Sequence, residues 1–288
     1  MKRADTQRGG ATVDLHLHST ASDGLLAPAA VVAAARSVGL VAIALTDHDT
    51  VDGVAEARQA AERDGMRMIA GIELSAEEDA DEVHVLGLHL EELDRLSERL
   101  RELREARVVR ARAIVDRLRE LGAIVSFDAV MGYSAGGAVG RPHVARALID
   151  AGLARDFRDA FDRYLGLGRP AYVPKRRVSV AEAIQLVHSA GGLAFWAHPG
   201  QCGSEERVRA LVDVGLDGLE VLHPSHSADE VPRLRALCEA IHLLPSGGSD
   251  WHATPGTTRS LGNQAVPLSW LERHDAVLAA RAGNEGRS

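Results

Sequence analysis

Histidines and acids recur at the ends of short apolar runs in this chain, at spacings that suit metal chelation. The first run reads Val13-Asp14-Leu15-His16-Leu17-His18. Side chains alternate along a strand, so Asp14, His16 and His18 share one face while Val13, Leu15 and Leu17 take the other. A His-x-His pair on one face can hold a single ion. Similar groups end two further runs, Leu45-Thr46-Asp47-His48-Asp49 and Gly248-Ser249-Asp250-Trp251-His252. Glu73 stands alone inside Gly71-Ile72-Glu73-Leu74-Ser75, His84 sits between Val83 and Val85, and His198 follows Trp196-Ala197. A carboxylate inside an apolar run is costly to bury unless a cation or a partner accompanies it. Each fragment alone is a weak signal. Together they point to one metal site, because strand ends in parallel α/β architectures meet at one mouth.

The elements that must position these residues follow from periodicity. Strands are predicted at Thr12–Leu17, Val41–Thr46, Met68–Leu74, Val83–Leu88, Leu193–Ala197, Gly218–Leu222 and Leu243–Ser246. Helical spacing of apolar positions falls between them, at Pro28–Val38, Val54–Asp64, Val180–Ala190, Glu205–Val214 and Glu230–Ala240. Pro28 suits a first helical turn, and Gly39, Gly65, Gly191 and Gly215 follow helices as stop signals. This alternation predicts parallel strands in a barrel or a doubly wound sheet. The rhythm breaks between Glu91 and Lys175. There a long charged amphipathic pattern (Glu91–Leu121), a glycine-rich loop (Gly132–Gly140) and a further helix (Pro142–Ala151) read as a helical insertion. The glycine-rich loop is no P-loop, since no Lys-Ser or Lys-Thr follows it. The domain reading is therefore a discontinuous barrel over 11–90 and 176–282, carrying an insertion at 91–175.

Composition sets the outer bounds. With 288 residues, 45% of them hydrophobic, the chain can bury a large core. A formal charge of −8 argues against a broad duplex nucleic-acid surface. The basic residues are nearly all arginines, and Lys2 and Lys175 are the exceptions. Cys202 and Cys238 form no CxxC pattern, which predicts neither a disulfide framework nor a zinc knuckle and fits a reducing compartment. Met1–Ala11 has no apolar core of a secretory signal. The apolar stretch Leu25–Leu45 is interrupted by Pro28, Arg36 and Ser37, so it reads as a helix and a buried strand, not a membrane span. The expectation is a cytoplasmic protein.

The motifs DLHLHSTASDG, TDHDT, GIELS, HVLG, AHPG and GGSDWH, in this order from Asp14 to His252, resemble those of the PHP (polymerase and histidinol phosphatase) family of metal-dependent phosphoesterases. The resemblance implies an α/β fold, a distorted (βα)7 TIM-like barrel with two or three divalent ions at the strand ends. Manganese is the leading expectation, with zinc and iron open. It implies His16, His18, Glu73 and Asp250 around one ion, Glu73 bridging to a second held by His84 and His198, and Asp23, His48 and His252 around a third. Asp23 stands where some relatives carry His. It further implies in-line attack on phosphorus by a metal-bridging hydroxide, with Asp250, His198 and Glu73 central. Metal binding can lower the pKa of water from 15.7 to roughly 7. Three divalent ions set against Asp23, Glu73, Asp250 and one hydroxide leave a net positive charge that matches a phosphate dianion.

The insertion narrows the substrate. Gly140-Arg141-Pro142-His143 opens a helix, where backbone N–H groups favour an anion. With Tyr164-Leu165-Gly166, Arg169–Lys175 and Glu220–Ser227, it resembles the PHP subgroup that removes the 3′-phosphate of nucleoside 3′,5′-bisphosphates and trims short RNA from the 5′ end. That resemblance implies Arg141, His143, His223, His226 and Lys175 as substrate-binding residues, with His223 or His226 protonating the leaving group. Leu222, Leu88 and Trp251 depart from the subgroup's usual residues. Two other readings stand beside this one: a histidinol-phosphate or other small-metabolite phosphatase, and a non-catalytic PHP module. His89, His188, His242 and His274 lie outside every motif and are expected at the surface or at caps. Asp14 is expected to orient a ligand, and Asp49 and Asp52 to cap the following helix.

Overall fold

Alternating strand and helix run through both ends of the chain in a computed structural model that describes residues 11–78, 81–133, 139–174, 178–255 and 259–285. Lys175 and residues 134–138 of the glycine-rich loop lie outside the described residues. The first stretch contains β1 (Thr12–Leu17), α1 (Pro28–Ser37), β2 (Ala42–Leu45), α2 (Val54–Asp64), β3 (Arg67–Glu78) and β4 (Asp81–Leu88). The middle contains α3 (Leu93–Glu120), α4 (Phe127–Tyr133), α5 (Arg141–Asp150), α6 (Phe157–Ala160) and a π-helical turn at Phe161–Leu165. The last stretch contains α7 (Val180–Ser189), β5 (Leu193–Trp196), α8 (Glu205–Asp213), β6 (Gly218–Leu222), α9 (Glu230–Ala240), β7 (Leu244–Gly247), β8 (Val266–Pro267) and α10 (Leu268–Glu285). Two compact units result: Met1–Leu96 with Val178–Ser288, and Ser97–Arg177.

The first unit is the barrel. Its sheet has eight strands in the order β7-β6-β5-β4-β3-β2-β1-β8. Past β7 the chain returns to β1, where Leu17 bridges Trp251 and the His18 N–H donates to the Trp251 carbonyl at 3.1 Å. The sheet is thus nearly closed, with helices around it. Closure demands close approach, and Gly248 allows it: a Cβ there would sit 2.4 Å from the His16 Cβ. Between the sheet and the first helices, Leu17, Ile43 and Leu45 pack in one buried cluster with Val31, Val32 and Ala35 of α1 and Ala57, Ala60 and Ala61 of α2.

One of the expected strands corrects the parallel reading, and the short β8, antiparallel to β1, adds a second reversal. β4 runs antiparallel to both β3 and β5, whereas β1–β2–β3 and β5–β6–β7 are parallel. Only residues 79 and 80 separate β3 from β4, far too few for the dozen or more residues of a parallel crossover. The reversal places His84 at the mouth from the early part of its strand, while β3 delivers Glu73 from the other direction.

The second unit is helical. Ile114, Val115 and Leu118 of α3 share a buried cluster with Val130 of α4, Val144 and Leu148 of α5, and Leu165. Among the described residues, no helix is long and apolar enough to cross a membrane. Cys202 and Cys238 are both free thiols.

Candidate metal centre at the barrel mouth

Glu73 is the hub of the mouth. Its Oε2 lies 3.1 Å from His16 Nε2, 3.2 Å from His18 Nε2 and 3.3 Å from His48 Nε2. Its Oε1 lies 2.8 Å from His84 Nδ1 and 3.0 Å from His198 Nε2. One carboxylate therefore faces two sets of imidazoles with its two oxygens, the geometry a bridging ligand needs. Asp250 adds a second acid: Oδ1 is 3.1 Å from His18 Nε2 and 3.6 Å from His16 Nε2. Asp23 reaches the outer side, with Oδ1 3.2 Å from His252 Nε2 and Oδ2 3.9 Å from His48 Nε2.

Donor atoms gather in overlapping groups within 4.8 Å of one another. His16, His18, Glu73 and Asp250 form one group, and His18, Asp23, His48 and His252 another. His48, Glu73 and His84 form a third, which His198 approaches through Glu73 Oε1. The first set is the one expected from the sequence. In the others His18 and His48 are shared, so the assignment of ligands to separate ions is less clean than the motifs suggest.

The local backbone is bent to serve these contacts. His198 and Asp250 hold left-handed conformations, with φ of 33° and 49°. Side chains rarely adopt this region, and such residues cluster where surrounding structure enforces them for function. Asp14 helps to enforce the second case. Its Oδ1 accepts from the Ser249 N–H at 2.9 Å and its Oδ2 from the Gly262 N–H at 3.0 Å. Asp14 thus clamps the backbone before Asp250, acting on that ligand through the main chain. Asp47 accepts from the Ser19 N–H, the Ser19 hydroxyl and the Ser22 hydroxyl, each at 2.7 Å, and so pins the loop that carries Asp23. Asp49 accepts from the Ser75 N–H at 3.0 Å, while Gly53, with no side chain to offer, stands at the N-cap of α2.

Electrostatics fit cations. Burial raises the Glu73 and Asp250 carboxyls, but the facing imidazoles, His16 foremost, outweigh it and hold both well below the usual range. Burial lowers His16, yet the charges of Glu220, Glu73 and Asp250 carry it well above its ordinary value. His18, lowered by burial and raised by Asp250 and Glu73, settles at about 8. Burial likewise works against Asp23, but its contacts to His252, His48 and His18 bring it to about 2. Both ring nitrogens of His18 are buried and form no aligned hydrogen bond, despite the nearby carboxylate oxygens. In the neutral ring, the nitrogen without the proton is therefore available to a metal. Buried acids that face imidazole lone pairs are the donor set of divalent transition metals, and the residues present fit such ions.

Two residues escaped the sequence reading. Glu220, fully buried, accepts from His16 at 2.9 Å (Nδ1 to Oε1) and from the His198 backbone N–H at 2.7 Å. It fixes the tautomer of one ligand and the position of another. A lone acid in the apolar run Gly218–Leu222 carries the same signal as Glu73. Arg259 Nη1 lies 2.6 Å from Asp250 Oδ2, the oxygen turned away from His18. A single arginine in a loop gave no sequence signal.

The expected substrate residues fare unequally. His223 is buried; its Nδ1 accepts from the Ser225 N–H at 3.1 Å, leaving Nε2 to donate to Asp250 Oδ2 at 3.2 Å, and burial lowers its pKa. His226 is a correction. Its Nδ1 donates to the Val221 carbonyl at 2.9 Å and its Nε2 accepts from the Gly200 N–H at 3.2 Å. With both ring nitrogens engaged by backbone groups, it braces two turns instead of facing a leaving group. In the helical unit, Arg141 donates to the Leu165 carbonyl at 3.3 Å and its guanidinium lies 5.4 Å from the Phe161 ring centre and 5.6 Å from that of Tyr172. The His143 Nδ1 accepts from the Gly140 N–H at 3.0 Å, capping α5. His89 and His274, expected at the surface or at caps, are packed inside the barrel unit, with the His274 side chain fully buried.

A barrel mouth lined with shared carboxylates and imidazoles is the setting of a metal-dependent hydrolase. Comparison with known proteins agrees. The PHP domain matches residues 14–169. A 3′,5′-nucleoside bisphosphate phosphatase of Chromobacterium violaceum is 37% identical over 88% of this chain and 91% of its own length. A 5′-3′ exoribonuclease of Escherichia coli is 36% identical, over 83% and 84%. A solved structure from Bifidobacterium adolescentis, assigned as a metal-dependent phosphoesterase, has a TM-score of 0.71 and 32% identity, covering 92% of this chain and 95% of that one. The chain belongs to the PHP family of metal-dependent phosphoesterases.

Proposed function

We propose that this enzyme removes the 3′-phosphate of nucleoside 3′,5′-bisphosphates and trims short oligoribonucleotides from the 5′ end. The observation that carries the hydrolytic part is Glu73, whose two oxygens face separate sets of imidazoles. The substrate part rests on the named activities of the two relatives and on two arginines of the helical unit that act on each other. Burial and the charge of Arg141 both lower the pKa of Arg110, so two guanidiniums crowd one another there. An anion relieves that repulsion, and planar guanidinium groups bind phosphate in pairs.

Divalent ions, manganese foremost, would be held by His16, His18, Asp23, His48, Glu73, His84, His198, Asp250 and His252. Once bound, they would supply an activated water and stabilise charge on the phosphoryl group. The protein's own part is positional. Glu220 holds His16 and His198 in place, Asp14 and Arg259 fix Asp250, and Asp47 fixes the Asp23 loop. His223, donating to Asp250 from a buried position, is the remaining candidate for moving a proton. Arg141 is assigned to a substrate phosphate, and His143 keeps only Nε2 for such a contact.

The test compares phosphate release from adenosine 3′,5′-bisphosphate and from histidinol phosphate by the manganese-loaded protein. The nucleotide should be preferred, and Arg141→Ala should raise KM for it about tenfold, the loss of roughly one charge-assisted contact. Preference for histidinol phosphate, or an unchanged KM, rejects this substrate assignment.

A further inference from the structure

The barrel unit contains a cavity of about 450 Å³ that the mechanism above does not use. His84 and His198 form its inner wall, and Asp81, Glu82, Trp196 and Cys202 line the remainder. We propose that this cavity receives the nucleobase of the substrate and favours a base that carries an exocyclic amino group. The proposal rests on the nucleotide reading above and names the subsite for the uncharged part of the molecule.

Position is the first argument. The same two imidazoles that line the cavity face Glu73 Oε1, at 2.8 Å for His84 and 3.0 Å for His198. A phosphoryl group seated over Glu73 therefore has its ester partner within reach of the cavity. Size is the second. Pockets of roughly 300–1,000 Å³ hold organic ligands, and this volume far exceeds the needs of a lone phosphate.

Charge then decides which part of a nucleotide enters. Asp81 and Glu82 both line the wall, and the Glu82 carboxylate reaches to 3.7 Å from His84 Nε2, so the lining is acidic. The one arginine on it, Arg207, is paired with Glu78 at 2.7 Å and lies 5.0 Å from the Trp196 ring centre. That pairing neutralises the cation and holds it against the aromatic wall. A second phosphate would meet repulsion here, whereas a base would not. Ionised carboxylates only accept hydrogen bonds. Adenine, guanine and cytosine offer amino donors, and uracil has none of that kind.

Cys202 supplies a direct readout, because it is exposed on the cavity while Cys238 is buried and its thiol is pushed up to about 12. The rate at which iodoacetamide labels Cys202 would be measured on the full-length, metal-loaded protein, with adenosine, uridine or ribose added in turn. Adenosine should slow labelling several-fold, uridine less, and ribose not at all. In a doubly substituted Asp81→Asn, Glu82→Gln protein, the gap between adenosine and uridine should close. Labelling that is unaffected by adenosine at saturating concentration overturns the proposal, as does equal protection by uridine in the unaltered protein.

A kinetic arm separates this failure from that of the function itself. Cys202→Trp should raise KM for adenosine 3′,5′-bisphosphate about tenfold, a loss of roughly 1.4 kcal/mol. If the unaltered enzyme hydrolyses no nucleotide, the nucleotide reading fails, and the labelling result still judges the cavity. An unchanged KM in an active enzyme removes the base from this cavity.

Discussion

The barrel unit buries two groups of histidines, one at its mouth and one packed between β4 and α10, and His16 of the first behaves oppositely to the pair in the second. At the mouth, Glu73, Glu220 and Asp250 raise His16 well above its ordinary value despite burial. In the second group, the His89 and His274 rings stand edge to face at 5.6 Å, and His274 Nε2 donates to the Pro245 carbonyl at 2.9 Å. Burial lowers each of them to about 4. The nearest acid, Asp275, is 4.0 Å from His89 and is held by Arg67 through hydrogen bonds of 2.6 and 2.8 Å. Residue type and burial are alike in the two places; the inward-facing carboxylates differ. Chelation requires those acids, and neutral packing follows without them.

The largest way to break this contrast is to remove the hub. Glu73→Gln should cut phosphate release on the order of 10³-fold, as loss of a central electrostatic group does, read by steady-state kinetics. A variant that retains most of its activity would mean that the imidazole sets do not depend on a shared acid. A smaller effect is expected behind the ligands. Glu220→Gln should weaken metal affinity about 10–100-fold, the usual range for a supporting group, read by metal titration. Unchanged affinity would show that His16 and His198 hold their places without it.

The smallest effect belongs to the second histidine group and concerns stability. Both pKa values are depressed, so the unfolded chain binds protons near 6.5 that the folded chain refuses until about 4. Their contribution is thus complete above about pH 6.5 and falls as pH drops towards 4, by about 1.4 kcal/mol per unit for each ring. His274→Gln should flatten the pH dependence of denaturant unfolding in that window by about this slope. An identical slope in variant and parent would show that His274 is protonated inside the fold.

Much of the architecture is legible in the sequence, for particular reasons. β1, α2, β6 and α9 have the boundaries that periodicity predicts, because apolar alternation or helical spacing ends at glycines or charged residues there. The direction of β4 is not legible, since a strand's apolar pattern is the same read either way and only the short link to β3 reverses it. The mouth residues are legible because a polar side chain inside an apolar run demands a partner. The same rule applies to Glu220, which the motif boundaries obscured. Arg259 and the second histidine pair obey no local pattern. Their environments come from residues outside any local repeat, Asp250 across a loop in one case and the distant Pro245 and Arg67 in the other.

The most direct test of the central claim is the metal content of the purified chain after manganese loading and removal of free ions. The arrangement around Glu73 predicts more than one divalent ion per chain, with fewer in Glu73→Gln. A folded parent protein that retains no ion, or a Glu73→Gln protein that retains them all, would contradict it.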